Sequence, residues 1–270
     1  MTYGLSFAAT PVDTVAVVDL ESACALFGWE TLPYPMGRSR PVGSVWLASR
    51  AGEPIADRLA DGDLPGVRSW VEALVRSDVC VECRVHSLGA HTLDLRLHAL
   101  RAGESGFVAG QTREQDGVDV VDIYSVAPDA LAAAIAESVG LVGAGAHPRI
   151  AVAGGGSRLP KTPETLEEFD DLGFPVRRAE SDEMPARVIN GSEVVVTGTV
   201  QTRNEPARQW GTDPQRRMLQ WVQVNGDGDY IYEFDGHAEP MSRDMLRGFI
   251  EGFIADDMEV ARARRGWPTP

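Results

Sequence analysis

Cys80 and Cys83 stand two residues apart, the spacing of a redox dithiol or of half a zinc site. The run around them argues against both. Val81, Cys83 and Val85 alternate with Glu82, Arg84 and His86, the period of a strand, and a separation of three along a strand sends the two thiols to opposite faces. No second CxxC follows, and no helix N-terminus stands behind the pair to lower a thiol pKa. His86, His91 and His98 gather in the same stretch. Cys80 with His98 has the residue types of a nucleophile and its base, and two of the histidines could hold a metal. Either use needs an enclosed polar face, whereas the alternation assigns Cys80, His86 and His98 to a solvated one beside Glu82 and Arg84. A small-molecule-binding or enzymatic domain using Cys80, His86 and His98 is the alternative reading.

Two other stretches imitate ligand loops. Gly154-Gly155-Gly156-Ser157, behind Ile150-Ala151-Val152, lacks the GK[ST] ending of a phosphate loop, and Pro160 and Pro163 break the helix that should follow. Asn225, Asp227 and Asp229 begin like a calcium loop, but Tyr230 stands where glycine is required and Gly236 where the last ligand should be glutamate. Neither HExxH nor GxSxG occurs. The residues assemble no catalytic machinery, and no metal or cofactor is expected.

The elements that carry these residues follow from periodicity and turn chemistry. Val79–Leu100 is expected as a hairpin about Gly89, pairing Val85 with Leu93, Cys83 with Leu95 and Val81 with Leu97 in the core. The same register sets Arg84 against Asp94, Glu82 against Arg96 and Cys80 against His98. Before it come a strand over Val12–Val18, a helix from Asp19 to Phe27, and a loop over 32–43 with three prolines. A stretch at Val45–Ser49 reads as either a strand or a helix start. Helices follow after Pro54 and over Val67–Val75. Strands Phe107–Thr112 and Val118–Tyr124 precede a helix with Leu131, Ile135 and Val139 on one face. The Gly- and Pro-rich 143–163 reads as a linker, and a short acidic helix is expected over Glu164–Leu172. Strands Glu193–Val200, Met218–Val224 and Tyr230–Phe234 then lead to a final helix running to about Asp257, with Leu246, Phe249, Ile250, Phe253 and Ile254 as a broad apolar stripe. That stripe serves core packing or a partner helix; composition does not separate the two. The fold class is α+β, two pseudo-symmetric halves (1–142 and 164–270) that each run antiparallel strands into an amphipathic helix, forming one compact unit.

The 40 acidic residues outnumber the 25 basic ones for a net charge of −15, which disfavours nucleic acid and anionic membrane as partners. Three cysteines make no disulfide framework, no signal peptide opens the chain and no apolar run reaches 18 residues, so a soluble cytoplasmic protein is expected.

Several stretches in this order are similar to the EspG family, secretion-associated proteins of the type VII (ESX) systems of actinobacteria. They are Phe27-Gly28-Trp29-Glu30-Thr31-Leu32-Pro33, the helix over Val67–Val75 leading into the hairpin, Leu131–Val139, and the linker stretch His147-Pro148-Arg149-Ile150-Ala151-Val152. Asn225-Gly226-Asp227-Gly228-Asp229-Tyr230-Ile231 resembles the family's acidic-glycine turn, with Asp229 where many members carry arginine, so that arginine's role does not carry over. The resemblance implies α/β halves beside a helical bundle and a cytosolic chaperone, not an enzyme. It implies binding to the apolar tip of the PPE protein in a PE–PPE heterodimer, keeping the pair soluble and targeting it to an ESX system. It implies contact through a strand–strand loop, here Leu88, Gly89 and His91, and through the C-terminal helical region, here Leu246, Phe249, Ile250 and Phe253. The chaperone itself would be a monomer or weak homodimer, meeting the secretion machinery only indirectly.

Overall fold

The computed structural model describes residues 11–38, 53–60, 62–89, 94–113, 118–153, 187–206, 211–232 and 237–264. The possible element at Val45–Ser49 and the acidic helix at Glu164–Leu172 lie outside them. Among the described residues eleven strands join in one sheet: β1 (Asp13–Ala16), β2 (Val79–Ser87), β3 (Leu95–Ala102), β4 (Ser105–Arg113), β5 (Asp119–Val126), β6 (Ile150–Ala153), β7 (Arg187–Asn190), β8 (Val194–Arg203), β9 (Met218–Val224), β10 (Gly228–Tyr232) and β11 (Ala238–Pro240). Their order is β1-β5-β4-β3-β2-β8-β9-β10-β11-β6-β7. Every neighbouring pair is antiparallel except β6 with β7 at one edge. The alternating apolar residues of β2–β5 and the Val/Thr-rich β8 suit a large, buried antiparallel sheet. Ile150–Ala153, inside the Gly/Pro-rich stretch, is itself a strand and pairs with both β11 and β7.

Helices cover both faces. On one, α4 (Leu131–Ser138) and α5 (Arg243–Arg264) bury Leu131, Ile135, Leu246, Ile250 and Phe253 against Val81, Cys83, Val85, Leu97, Val200 and Trp221. On the other, α1 (Val17–Leu26), α2 (Ile55–Ala60) and α3 (Pro65–Val75) set Leu20, Leu59, Trp70 and Leu74 over Cys80, Leu100, Ala109 and Ile123. Pro65 fits the first turn of α3, whose free amides are capped from a distance: Gly66 and Val67 N–H donate to Asp13 Oδ2 at 2.6 and 3.0 Å. α1 begins at Val17, two residues before the expected Asp19, because the chain turns into it directly from β1. α5 continues to Arg264, past the expected Asp257, through a run of good helix formers.

Two expectations for the hairpin are corrected. Val85 pairs with Leu95, Cys83 with Leu97, Val81 with Ala99, Glu82 with His98 and Cys80 with Leu100, a shift of two residues from the expected register. A shift of two preserves which side chains share a face, so apolar alternation cannot detect it. The Arg84–Asp94 ion pair survives the shift as a diagonal contact, with Arg84 Nε 3.1 Å from Asp94 Oδ2. Leu93 lies outside the described residues. The second correction concerns the face expected to be wet, where Cys80, Glu82 and His98 are buried. Trp70 of α3 meets His98 edge-on, at 6.0 Å between ring centroids. Residues 32–38 lie across the same face, where Gly37 and the Gln111 carboxamide exchange hydrogen bonds of 3.0 and 2.7 Å.

Candidate partner-binding surface

The residues with chemical potential do not converge. Cys80 and His98 are not opposite each other, and Cys80 Sγ instead lies 3.3 Å from Ser77 Oγ. Burial pushes the Cys80 thiol up to about 12 and pulls the His98 imidazole down to about 3. Such a thiol is no nucleophile near neutral pH, and such an imidazole takes up no proton there. Cys83 lies in the opposite core, its thiol raised by burial alone. His86 is exposed and bonds through Nδ1 to Asp94. Burial acts to raise the Asp94 carboxyl, but bonds from His86 and Arg84 outweigh it and hold it below the usual range. Among the described residues, no three His, Cys, Asp or Glu side chains are placed to hold a metal.

The acidic turn at 225–229 grips its own chain. Asp229 is fully buried and accepts from the Val142 and Gly143 amides at 2.7 and 2.9 Å and from Gln223 Nε2 at 3.1 Å. Asp227 accepts from the Ala146 amide at 2.7 Å and from the Tyr230 hydroxyl at 2.8 Å. The two carboxylates therefore tie residues 142–146 to the β9–β10 turn, and oxygens used this way are not offered to calcium. The glycines make the approach possible: a Cβ on Gly145 would lie 1.9 Å from Tyr230 Cζ.

The same place gathers exposed apolar side chains. Ser87 pairs with Val196, which pairs with Gln223, which pairs with Asp229, so these four residues form one row across β2, β8, β9 and β10. Leu88 follows Ser87 at one end of that row and is half exposed. At the other end Val142 is bonded to the Asp229 carboxylate, and the Met241 amide donates to the Asp229 carbonyl at 2.8 Å. Four and eight residues on, Met245 and Phe249 occupy the first turns of α5. Val142, Met245 and Phe249 are 68%, 42% and 40% exposed, so one end of the sheet carries four large apolar groups in solvent.

A model of the EspG family matches residues 17–230 of the 270. The chain belongs to the EspG family. No curated protein matches it. Membership places it among ESX-associated chaperones, a family with no known enzymatic activity. No helix among the described residues is long and apolar enough to cross a membrane. The match covers β1 through most of β10 but stops before α5, so in this EspG chain the final helix must be read from its own residues. Of the α5 residues named from sequence, Leu246, Ile250 and Phe253 lie in the core, and Phe249 is exposed. Phe253 is closed off by the Arg217 guanidinium, 4.7 Å above its ring. Leu88 and Gly89 end the described part of the β2–β3 loop, and His91 lies outside it. Val142 and Met245 were not singled out by sequence. Val142 sits in a Gly-rich stretch with no period, and Met245 belongs to the apolar stripe without marking its exposed side.

Proposed function

We propose that this EspG chain is a cytosolic secretion chaperone that receives the apolar tip of the PPE protein in a PE–PPE heterodimer at the end of the sheet bearing Leu88, Gly89, Val142, Met245 and Phe249. The observation that carries the reading is that exposed apolar side chains gather at one row of the sheet, in a chain of net charge −15. An apolar helical tip would bury itself against Phe249 and Met245 with Leu88 on its flank, while the acidic remainder keeps the complex soluble. In this reading Leu246, Ile250 and Phe253 act from beneath by fixing α5, and His91 belongs to the contact loop. We also read 1–142 and 164–270 as related halves joined by 143–163, each meandering outward from the central β2–β8 pair and ending in a helix, α4 or α5. These two helices stand for the family's helical bundle. The protein would work as a monomer or weak homodimer, delivering the pair to one ESX system without touching nucleic acid or entering the membrane.

Co-expression with PE–PPE pairs of the same genome, followed by affinity purification and size-exclusion chromatography, tests the reading. A stable complex with one pair is expected, lost in Leu88→Asp and weakened by Phe249→Ala in chains that fold as the parent does. A folded, monodisperse chain that captures no pair would end the proposal.

A further inference from the structure

Glu82 and His98 stand directly opposite each other on β2 and β3, under Trp70. Both are buried, and they divide the available partners unevenly. Glu82 Oε2 accepts from Arg203 Nε at 2.9 Å, while Glu82 Oε1, both ring nitrogens of His98 and Trp70 Nε1 have no hydrogen-bond partner. Buried polar atoms in folded proteins are nearly always satisfied, so four bare atoms on three neighbouring residues call for an explanation. Opposed residues of an antiparallel pair have Cβ atoms about 5 Å apart, a gap that a glutamate and a histidine side chain span easily. One proton on Glu82 Oε1 supplies a donor that a His98 ring nitrogen accepts. That single bond satisfies two of the four atoms.

We propose that Glu82 and His98 share one proton across the β2–β3 ladder, and that releasing it to solvent commits the Glu82 carboxylate to Arg203 and tightens residues 211–216 onto the sheet. These residues act as a strap. Gln201, which pairs with Glu82 from β8, donates to the Asp213 carbonyl and accepts from the Asp213 amide, both at 2.8 Å. Arg203 Nη2 donates to the Gly211 carbonyl at 2.9 Å. From the far end of the strap, Arg216 Nη1 reaches Asp257 of α5 at 3.0 Å. With Glu82 neutral, the nearest acid left to Arg203 is Asp213, at 3.8 Å. The proton on Glu82 thus sets how firmly a surface segment is held between the sheet centre and the outer half of α5.

The groups around Glu82 support a proton that exchanges near neutrality. His98 faces it from β3, Gln201 and Arg203 from β8, Asp213 and Arg216 from the strap, Cys80 from its own strand, Tyr34 from the segment after α1 and Trp70 from α3, with Asp257 of α5 beyond. Burial pushes the Glu82 carboxyl up to about 7 against the pull of Arg203 and Arg216. Burial also keeps His98 neutral, ready to accept and not to compete.

The test is carbon-13 NMR of labelled glutamate side chains across about pH 5–9, with Glu82→Gln assigning the Glu82 signal. Amide exchange at 211–216, corrected for intrinsic rate, is measured on the same chains at about pH 6 and 8.5. The Glu82 signal is expected to titrate more than about one unit above the other glutamates and to fall toward them in His98→Phe. Exchange at 211–216 is expected to be several-fold slower at the higher pH in the parent and equally fast at both in Glu82→Gln. A Glu82 that titrates with the other glutamates, or is unmoved by His98→Phe, overturns the proposal, as does strap exchange whose pH dependence survives in Glu82→Gln. Should His98→Phe not fold, the nitrogen-15 shifts of the parent His98 ring decide. A neutral ring whose accepting nitrogen follows the Glu82 titration supports the shared proton, and a ring indifferent to it does not.

Discussion

At Asp229 three donors converge, the Val142 and Gly143 amides and the Gln223 carboxamide. Removing the acceptor leaves all three short of a partner in a buried place, and charge-assisted bonds are the stronger kind. Asp229→Ala is therefore expected to cost about 2–4 kcal/mol, read as a shift of the urea midpoint at constant slope. The sequence showed a hairpin turn here and not a calcium loop, which is correct. It did not show the clamp, because the clamped residues are some 80 positions away and carry no pattern. His98 and Glu82 make the opposite lesson, since strand period placed them on one face but not under a helix. Their pH signatures oppose each other. His98 is held at about 3 in the fold against 6.5 when unfolded, so its contribution is complete above about 6.5 and is lost as pH falls toward 3. Glu82 is raised to about 7 from 4.5, so its contribution is present below 4.5 and is lost as pH rises through 7. Glu82→Gln should accordingly gain on the parent between about pH 5 and 8, by up to roughly 3 kcal/mol, in urea titrations run at each pH.

Within an element, one helix separates two kinds of aromatic. On α5, Leu246, Ile250 and Phe253 recur at the spacing of a buried stripe, and Phe249 falls beside it. Phe253→Ala is expected to cost about 3–5 kcal/mol of stability. Phe249→Ala should cost under about 1 kcal/mol in the free chain while weakening the PE–PPE complex by roughly 2 kcal/mol or more, the mark of a hot spot. Thermal unfolding of the free chains and titration of the complex give the two numbers separately. The sequence marked the stripe and its period. It could not assign sides, because which arc of a helix faces α4 depends on contacts between elements far apart in the chain. The β2–β3 register failed for a related reason: alternation fixes parity, and the turn that fixes the rest has no Asn-Gly or Asp-Gly to pin it.

At the scale of the molecule the decisive contact is the β2–β8 pair, which joins the two ends of the chain over eight residue pairs from Cys80–Arg203 to Ser87–Val196. One core spans that seam. Val81, Leu97, Leu131 and Ile135 come from before residue 143, and Val200, Trp221, Leu246 and Ile250 from after 163, yet they pack as one cluster. Packing there is close: a Cβ on Gly198 would lie 2.0 Å from the Trp221 ring. The sequence divided the chain correctly into two runs of strands ending in helices, but a Gly/Pro-rich stretch between them reads as a domain boundary whether or not a sheet crosses it. Either part alone would expose a long, unpaired, apolar central strand, which is an invitation to aggregate. A protease site placed between residues 153 and 187 tests this without altering the core. The cut chain should elute as one species, and it should unfold in urea in one transition with the slope of the intact protein. Each part expressed alone should be insoluble or molten. Two separable transitions, or a soluble and cooperatively folded 1–153 fragment, would show instead that the seam is a docking contact between independent domains, and the strap running from β8 to α5 would then lie within one of them.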